Sequence, residues 1–252
     1  PGLGGVLAEA FGFRLRFIAV GAAALLTSVY GYLRLPETHG SRGPAGSHQE
    51  SATSSESSDG PAWRRLLGSR DVLAVSLLTA MVFLTRAGGR FTVFPLLAAA
   101  EFGYSASSIG ALFTAMALIN RIGLGPAATL SDRVGRKAAI LPSGLVTAAA
   151  LALIAWTGDP AVFLGAALLL AVGTSIMGPA PAAYAADVAP PEVRGLAMGL
   201  YRSAGDLGFV IGPVLLGAIA DATTLGGALA ANAAIVLTVT LLFAALARER
   251  RR

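Results

Sequence analysis

Seven stretches of the sequence are almost wholly apolar over about the length that a helix needs to cross a lipid bilayer. They lie near residues 17–34, 72–98, 108–130, 138–156, 162–184, 197–220 and 227–247. A crossing takes about 20 apolar residues, because the roughly 30 Å hydrocarbon layer offers no hydrogen-bond partner to an unpaired backbone group. The stretches are longer than strands need and lack strict alternation, which disfavours a barrel. The sequence therefore predicts an all-α integral membrane protein.

Composition agrees with this fold class and narrows the chemistry. Only 13% of the residues are charged and the mean hydropathy is +0.69, whereas soluble proteins carry about 25% charged residues. There is no cysteine, so neither a disulfide nor a thiolate metal site is available. Without metal-ligand spacing, a nucleophile paired with a base, or a phosphate-binding loop, we expect no enzyme activity, no metal, no cofactor and no ATP-driven pump.

The chain divides into unequal parts at a polar segment, residues 36–61, which is rich in Ser, Gly, Glu and Pro. Such a composition cannot bury enough apolar surface to offset its ordering entropy, so we expect a disordered linker. Residues 63–71 then predict a short interfacial helix. The opening PGLGGVLAEAFGFR has no Met and no charged n-region, so it is interpreted as the second half of a span, and the chain as a fragment. The predicted parts are 1–34, 35–70 and 71–252.

Orientation follows from the asymmetry of the positive charges. The connections 101–108, 157–160 and 221–227 contain no Lys or Arg, and Arg14 and Arg16 are the exception on that side. The positive-inside rule therefore places the linker and the C-terminus in the cytoplasm, in a multi-pass protein of the cell's inner membrane. The pI of about 10.2 is explained by anionic lipid, so no nucleic-acid partner is expected. The cytoplasmic charges are Arg34, Arg42, Arg64, Arg65, Arg70, Arg133, Arg136, Lys137, Arg194, Arg248, Arg250, Arg251 and Arg252.

A compact basic motif, SDRVGRKAAI, joins the third and fourth apolar stretches. It resembles the G-x-L-[AS]-D-R-x-G-R-K signature of the major facilitator superfamily, as the copy in the C-terminal half. Gly135 permits a tight turn between antiparallel helices, while the charged residues are suited to an ion-pair latch against neighbouring helix ends. The alternative is a basic turn that serves topology alone. The latch predicted from the resemblance comprises Asp132, Arg133, Gly135, Arg136 and Lys137.

Two further segments resemble the same superfamily. GDLGFVIGPVLLG at 205–217 has the G-x-x-x-G-P-x-x-x-G form of its fifth and eleventh helices, the motif associated with proton-coupled antiporters, and PGLGG resembles the end of the first copy. Residues 183–206 resemble the connection from the tenth helix to the eleventh, with Asp187, Pro191 and Arg194. Small residues in the first motif predict close helix packing. These packing residues are Pro1, Gly4, Gly5, Gly208, Gly212, Pro213 and Gly217.

The resemblance implies a major-facilitator-type helix bundle from the end of helix 5 to helix 12, with an incomplete N-terminal half. A weak repeat of residues 1–20 at 213–232 agrees with two related halves and a substrate path between them. The implied function is alternating-access transport of a small molecule, as proton-coupled efflux driven by the proton gradient. The alternatives are uptake of an organic anion, and a non-transporting scaffold or gene fragment. The expected partners are the substrate, the lipid bilayer and the missing helices 1 to 4.

Charged residues within the apolar stretches are the candidate site. Arg86 and Arg90 flank Gly88 and Gly89, which are predicted to let the helix bend. An arginine near mid-bilayer is disfavoured by roughly 2.5–3.5 kcal/mol, so it needs a wet cavity or a partner. Arg86 is predicted to contact substrate or gate, with a structural ion pair as the alternative. Arg90 is predicted to reach the outer interface.

Two other apolar stretches, 108–130 and 197–220, also contain charged residues and add further candidates. Asn120 and Arg121 are predicted to line the cavity, although Arg121 has the alternative of reaching toward Asp132. Arg202 and Asp206 stand four residues apart on one helix face and are predicted to form an ion pair. Asp206 is also a candidate for proton relay.

Overall fold

The computed structural model describes residue 18 and residues 21–30, 68–189 and 193–247. Every regular element in these residues is a helix, and six spans are long and apolar enough to cross a membrane. The prediction of an all-α membrane fold is confirmed. The six spans are Arg70–Phe102, Ala106–Pro126, Arg136–Trp156, Pro160–Val188, Arg194–Ala222 and Leu225–Leu246.

Two of the spans are divided into shorter elements. The first consists of α2 (Arg70–Leu84), a π-helical segment (Thr85–Val93) and α3 (Phe94–Phe102). The fourth consists of α6 (Pro160–Met177) and α7 (Pro179–Val188), which meet at Gly178. Pro179 begins α7, because proline is accepted in a first helical turn, where its missing N–H has no partner to lose. The elements are α1 (Gly21–Tyr30), α2 (Arg70–Leu84), the π segment (Thr85–Val93), α3 (Phe94–Phe102), α4 (Ala106–Val134), α5 (Arg136–Trp156), α6 (Pro160–Met177), α7 (Pro179–Val188), α8 (Arg194–Ala222) and α9 (Leu225–Leu246).

Polar side chains fix the start of several spans. The Ser105 hydroxyl accepts a hydrogen bond from the Ser108 N–H at 3.2 Å, and the Asp159 carboxylate accepts one from the Ala161 N–H at 2.7 Å. A cap of this kind satisfies one of the N–H groups that a helix leaves unpaired in its first turn. Ser105 and Asp159 therefore define where α4 and α6 begin.

A single residue, Gly135, separates α4 from α5. Its φ is +111°, a conformation that residues with a Cβ rarely adopt. The chain can thus reverse between two long helices without a longer loop. The sequence prediction of a tight glycine turn at this position agrees with the geometry.

Small residues bring α5 close to its neighbours. A Cβ on Gly144 would overlap the Thr240 side chain of α9, and a Cβ on Gly173 of α6 would lie 2.5 Å from Thr147 Oγ1. The Ser143 hydroxyl also donates a hydrogen bond to the Gly173 carbonyl at 2.6 Å. Helices in lipid associate through such close packing and polar contacts, because lipid chains are as apolar as the helices themselves.

Aromatic rings close the end of the bundle opposite Gly135. Phe163 of α6 stacks on Phe94 at 5.2 Å between ring centroids and lies 4.5 Å from the Phe102 ring. Phe94 also makes an edge contact with Phe113 of α4 at 5.9 Å. These contacts fix the end of the first span against α4 and α6.

Several sequence predictions fall outside the described residues. They include the packing residues Pro1, Gly4 and Gly5, the linker, and the arginines that end the chain. Of the first apolar stretch, α1 and residue 18 are described, and their side chains are exposed. The interfacial helix predicted from residue 63 is described only from residue 68, and α2 begins at Arg70.

Candidate functional site

Five charged side chains lie in the interior of the described spans: Arg86, Arg90, Arg121, Arg202 and Asp206. Arg86 is the central residue of the 33-residue span Arg70–Phe102, and Arg121 lies midway along α4. All but Arg90 are exposed on the surface of this part of the protein. Lipid contact disfavours a charge by roughly 2.5–3.5 kcal/mol, so these positions mark surfaces suited to water or to further protein.

Arg86 lies in the π segment, whose hydrogen bonds join residues five apart. This spacing brings Arg86 over Phe91, with the guanidinium carbon 5.8 Å from the ring centroid. The Thr92 hydroxyl donates to the Ala87 carbonyl at 2.9 Å, which is also a five-residue spacing. The sequence did not predict this π segment, although it singled out the same residues. Arg86 makes no ion pair with the side chains that the structure describes.

Arg90 is half-buried, and its Nε atom is buried without a hydrogen-bond partner among the described residues. That Arg90 reaches the outer interface stays a prediction. The span continues for twelve residues beyond it to Phe102, which is about 18 Å at 1.5 Å per residue. The predicted apolar stretch ended near residue 98, so the helix extends slightly beyond it.

Behind the π segment, Asn232 of α9 is fully buried. The Thr85 hydroxyl donates a hydrogen bond to Asn232 Oδ1 at 2.9 Å, while Asn232 Nδ2 has no partner among the described residues and lies against Gly89. Sequence reasoning missed Asn232. Its signal was an amide in the span Leu225–Leu246, whose other polar residues are the two threonines Thr238 and Thr240, because a polar group inside a span needs a partner.

The glycine motif of α8 lies directly on α2 and the π segment. A Cβ on Gly208 would overlap the Ala80 carbonyl, and a Cβ on Gly212 would lie 2.6 Å from the Leu84 carbonyl oxygen. Leu216, one turn on, is fully buried. Gly88 of the π segment contacts the Gly212 carbonyl from the other side. The two helices therefore approach backbone to backbone.

The remaining members of the motif behave differently. Gly217 has nothing within 4 Å of its Cβ position, so its predicted packing role finds no contact among the described residues. Gly217 follows the buried Leu216 and is therefore turned by about 100° from the contact row. Pro213 lies within the helix and is partly exposed.

Asn120 uses both ends of its amide within the protein. Its Nδ2 donates to the Met116 carbonyl at 2.8 Å, and its Oδ1 accepts from the Thr174 hydroxyl at 3.4 Å. The second contact joins α4 to α6. Arg121 is exposed, and its alternative of reaching Asp132 depends on a side chain outside the described part of the structure. A cavity role for Asn120 and Arg121 stays a prediction.

Arg202 and Asp206 form the ion pair expected from their spacing. Arg202 Nε lies 3.5 Å from Asp206 Oδ1, and the two side chains are 72% and 63% exposed. Such exposure within a span would be unfavourable against lipid. The pair therefore belongs on a surface that faces water or another part of the protein.

At the end of the bundle where α4 meets α5, the basic motif contacts two other helices. Arg136 Nε lies 3.3 Å from Asp187 Oδ2, at the end of α7, and Arg136 also donates to the Ser131 hydroxyl at 3.2 Å. Lys137 Nζ donates to the Ala247 carbonyl beyond α9 at 2.8 Å. Arg133 is exposed, and the Asp132 side chain lies outside the described residues. The basic motif at 131–140 and the segment 183–206, which are separate in the sequence, are therefore in contact in the structure.

No group of three or more metal-ligating side chains occurs in the described residues. The described residues form apolar spans with an uneven distribution of charge inside them. Polar contacts join the helices at the end where α4 meets α5. These features define a multi-pass membrane protein.

Comparison with known proteins gives the family. Residues 80–252 match the family described as Major Facilitator Superfamily. The chain belongs to the major facilitator superfamily, as the basic motif predicted. It is also 28% identical over 149 residues to an uncharacterized MFS-type transporter, MJ1560, of Methanocaldococcus jannaschii, a match that covers 58% of this chain and 38% of that protein.

Two solved structures share the fold. The human organic anion transporter MFSD10 (TETRAN) superposes with a TM-score of 0.62 and 23% identity over 73% of this chain and 42% of that one. The POT family transporter PepTSo superposes with a TM-score of 0.64 and 15% identity over 76% of this chain and 39% of that one. The chain spans less than half the length of these relatives.

Proposed function

We propose that this chain forms the C-terminal half of a secondary active transporter that exports a small molecule in exchange for protons by alternating access. The observation that carries the proposal is the exposed ion pair of Arg202 and Asp206 within α8. A paired charge on an open face of a span is expected where that face lines a water-filled path. Helices 1 to 4, which the family resemblance implies, would supply the opposite wall of the path.

The packing of α8 supports a moving element near that path. Gly208 and Gly212 hold α8 against α2 through backbone contacts rather than interlocking side chains. A smooth contact of this kind allows one helix to shift on the other without repacking a layer of large side chains. The same motif is associated with proton-coupled antiporters, which supports exchange over one-way flow.

Asp206 is the proposed proton carrier. It is the one acidic side chain in the interior of the described spans, and its partner Arg202 lies on the same helix. Protonation would release Arg202 from the pair and change the charge of the face. A proton-coupled step needs a group of this kind that changes partner between states.

The second candidate is uptake of an organic anion. It is favoured by the imbalance of charge inside the described spans, where four arginines stand against one aspartate. A path lined by positive charge raises the local concentration of anions and repels cations.

The test is flux into proteoliposomes containing the full-length protein, with ethidium as cationic probe and p-aminohippurate as anionic probe. An acidic lumen should drive accumulation by antiport, and Asp206→Asn should abolish the effect of the gradient. Asp221→Asn, an exposed acid at the end of the same helix, is the matched control and should leave it intact. Accumulation driven only by an acidic exterior would contradict antiport and favour the second candidate.

A further inference from the structure

We propose that the π segment Thr85–Val93 forms a binding site for the carboxylate of an organic anion, with Arg86 and Arg90 as its ligands. The ring of Phe91, with Phe113 of α4 beside it, forms the apolar wall for the organic part. The proposal rests on the transport function above and names a class of cargo and its residues. It holds for export and for uptake.

The π geometry prepares Arg86 for this task. The five-residue spacing places its guanidinium over Phe91 at 5.8 Å, whereas residues five apart on an α-helix point in different directions. A cation–π contact uses the charge of the guanidinium and leaves its N–H groups available for hydrogen bonds to a ligand. Those groups match the two oxygens of a carboxylate.

Arg90 supplies a donor that lacks a partner among the described residues. Its Nε is buried and makes no hydrogen bond to them. A buried donor left without a hydrogen-bond partner is unfavourable, and more so when the group is charged. An oxyanion between Arg86 and Arg90, which stand four residues apart, would satisfy this donor.

The positions of the acidic side chains favour an anionic ligand, rather than a carboxylate of the protein, as the partner of Arg86 and Arg90. Asp206 already pairs with Arg202 at 3.5 Å. The other acidic residues in the described part of the chain lie at or next to the ends of helices: Asp71, Glu101, Asp132, Asp159, Asp187 and Asp221. No described acid is therefore placed to neutralise Arg86 and Arg90 midway along their span.

The aromatic rings indicate an organic anion rather than an inorganic one. Phe91 is 50% exposed, and its ring lies 6.0 Å from the Phe113 ring. An exposed aromatic face beside a guanidinium suits a ligand that joins an apolar body to a carboxylate. The headgroup of an anionic lipid would offer the same oxyanion chemistry, so the test is made in vesicles of phosphatidylcholine alone, whose phosphate is balanced by its own choline cation.

The first measurement is the local charge at the site. The chain has no cysteine, so Phe91→Cys, in full-length protein freed of any other cysteine, reports on this position alone. An anionic methanethiosulfonate reagent should react faster than a cationic one. The ratio of the two rates should fall about tenfold with Arg86→Gln or Arg90→Gln, because one charge a few ångströms away has been removed.

Arg70→Gln is the matched control, since Arg70 begins the same span and lies about 24 Å from Arg86 along the helix. It should leave the ratio unchanged. Arg86→Lys should keep the ratio, because the charge remains, and so separates loss of charge from loss of folding. A ratio at or below one in the parent, or an equal fall in Arg70→Gln, would overturn the proposal.

The second measurement is protection by a ligand of the thiol in a Val82→Cys variant, which retains Phe91 and lies one helical turn before Arg86. Benzoate should slow its modification, whereas benzamide, the neutral analogue of similar shape, should not. Arg86→Gln should raise the benzoate concentration for half-protection by about tenfold to a hundredfold, the usual effect of losing a charged hydrogen bond. Equal protection by both compounds, or by neither, would overturn the site.

This design separates the site from the transport function. Protection by benzoate without any gradient-driven flux would overturn the transport proposal and retain the anion site. Flux of ethidium under a pH gradient without protection by benzoate would overturn the anion site and retain transport.

Discussion

Gly212 of α8 lies so close to Leu84 that a Cβ on the glycine would stand 2.6 Å from the Leu84 carbonyl oxygen and 3.0 Å from its Cα. The contact occurs where α2 passes into the π segment. It ties the helix that carries Arg202 and Asp206 to the segment that carries Arg86 and Arg90. The helices that carry the two charged regions of the proposed path are therefore in direct backbone contact.

Gly212→Ala should destabilise the protein by about 1–3 kcal/mol, because the added methyl group must push α8 away from α2. The measurement is the thermal unfolding midpoint in detergent. Gly217→Ala is the matched control in the same helix, with open space at its Cβ position. It should be neutral or raise stability by up to about 1 kcal/mol, since alanine favours helix. Equal midpoints for the two variants would contradict the contact.

Thr85→Val should lower stability by about 1–3 kcal/mol, because it leaves both ends of the buried Asn232 amide unpaired. Thr85→Val combined with Asn232→Leu should recover most of that loss, since no buried polar group then remains at the contact. Unfolding midpoints of the two single variants and the double variant test this. Strictly additive losses would mean that the hydrogen bond does not couple the residues.

Asp187→Asn should alter the rate of transport more than the stability of the fold. The Arg136–Asp187 pair is partly exposed, with side chains 30% and 35% accessible, and exposed pairs contribute about 0–1 kcal/mol. A small energy still shifts the balance between two transport states by several-fold. Arg136→Asp with Asp187→Arg should restore the rate that either single reversal lowers. A swapped double variant as slow as both singles would contradict a latch.

The sequence predicted the spans well because lipid imposes a single dominant requirement, a run of apolar residues about as long as the membrane is thick. The stretch predicted at 138–156 was observed as Arg136–Trp156, and that at 227–247 as Leu225–Leu246. The motif around Gly135 likewise identified the family, because a tight turn and its charges are encoded locally.

The site was less accessible to sequence reasoning. The π segment depends on contacts of Gly88 and Gly89 with α8 and α9, and these partners lie more than a hundred residues away in the chain. The surroundings of Arg90 were not evident from the sequence, because the burial of its Nε atom depends on how the helices pack. Asn232 was overlooked because its role requires Thr85, which only the folded bundle brings to it.

Counterflow in proteoliposomes tests the central claim, alternating-access transport, most directly. Vesicles with full-length protein are loaded with unlabelled p-aminohippurate or ethidium and diluted into labelled probe, with no gradient imposed. A carrier that exposes one site to each side in turn must take up label faster from loaded than from empty vesicles. The account predicts transient accumulation of label, lost when the transporter is omitted. Uptake that is independent of loading, or flux that never exceeds protein-free vesicles, would contradict it.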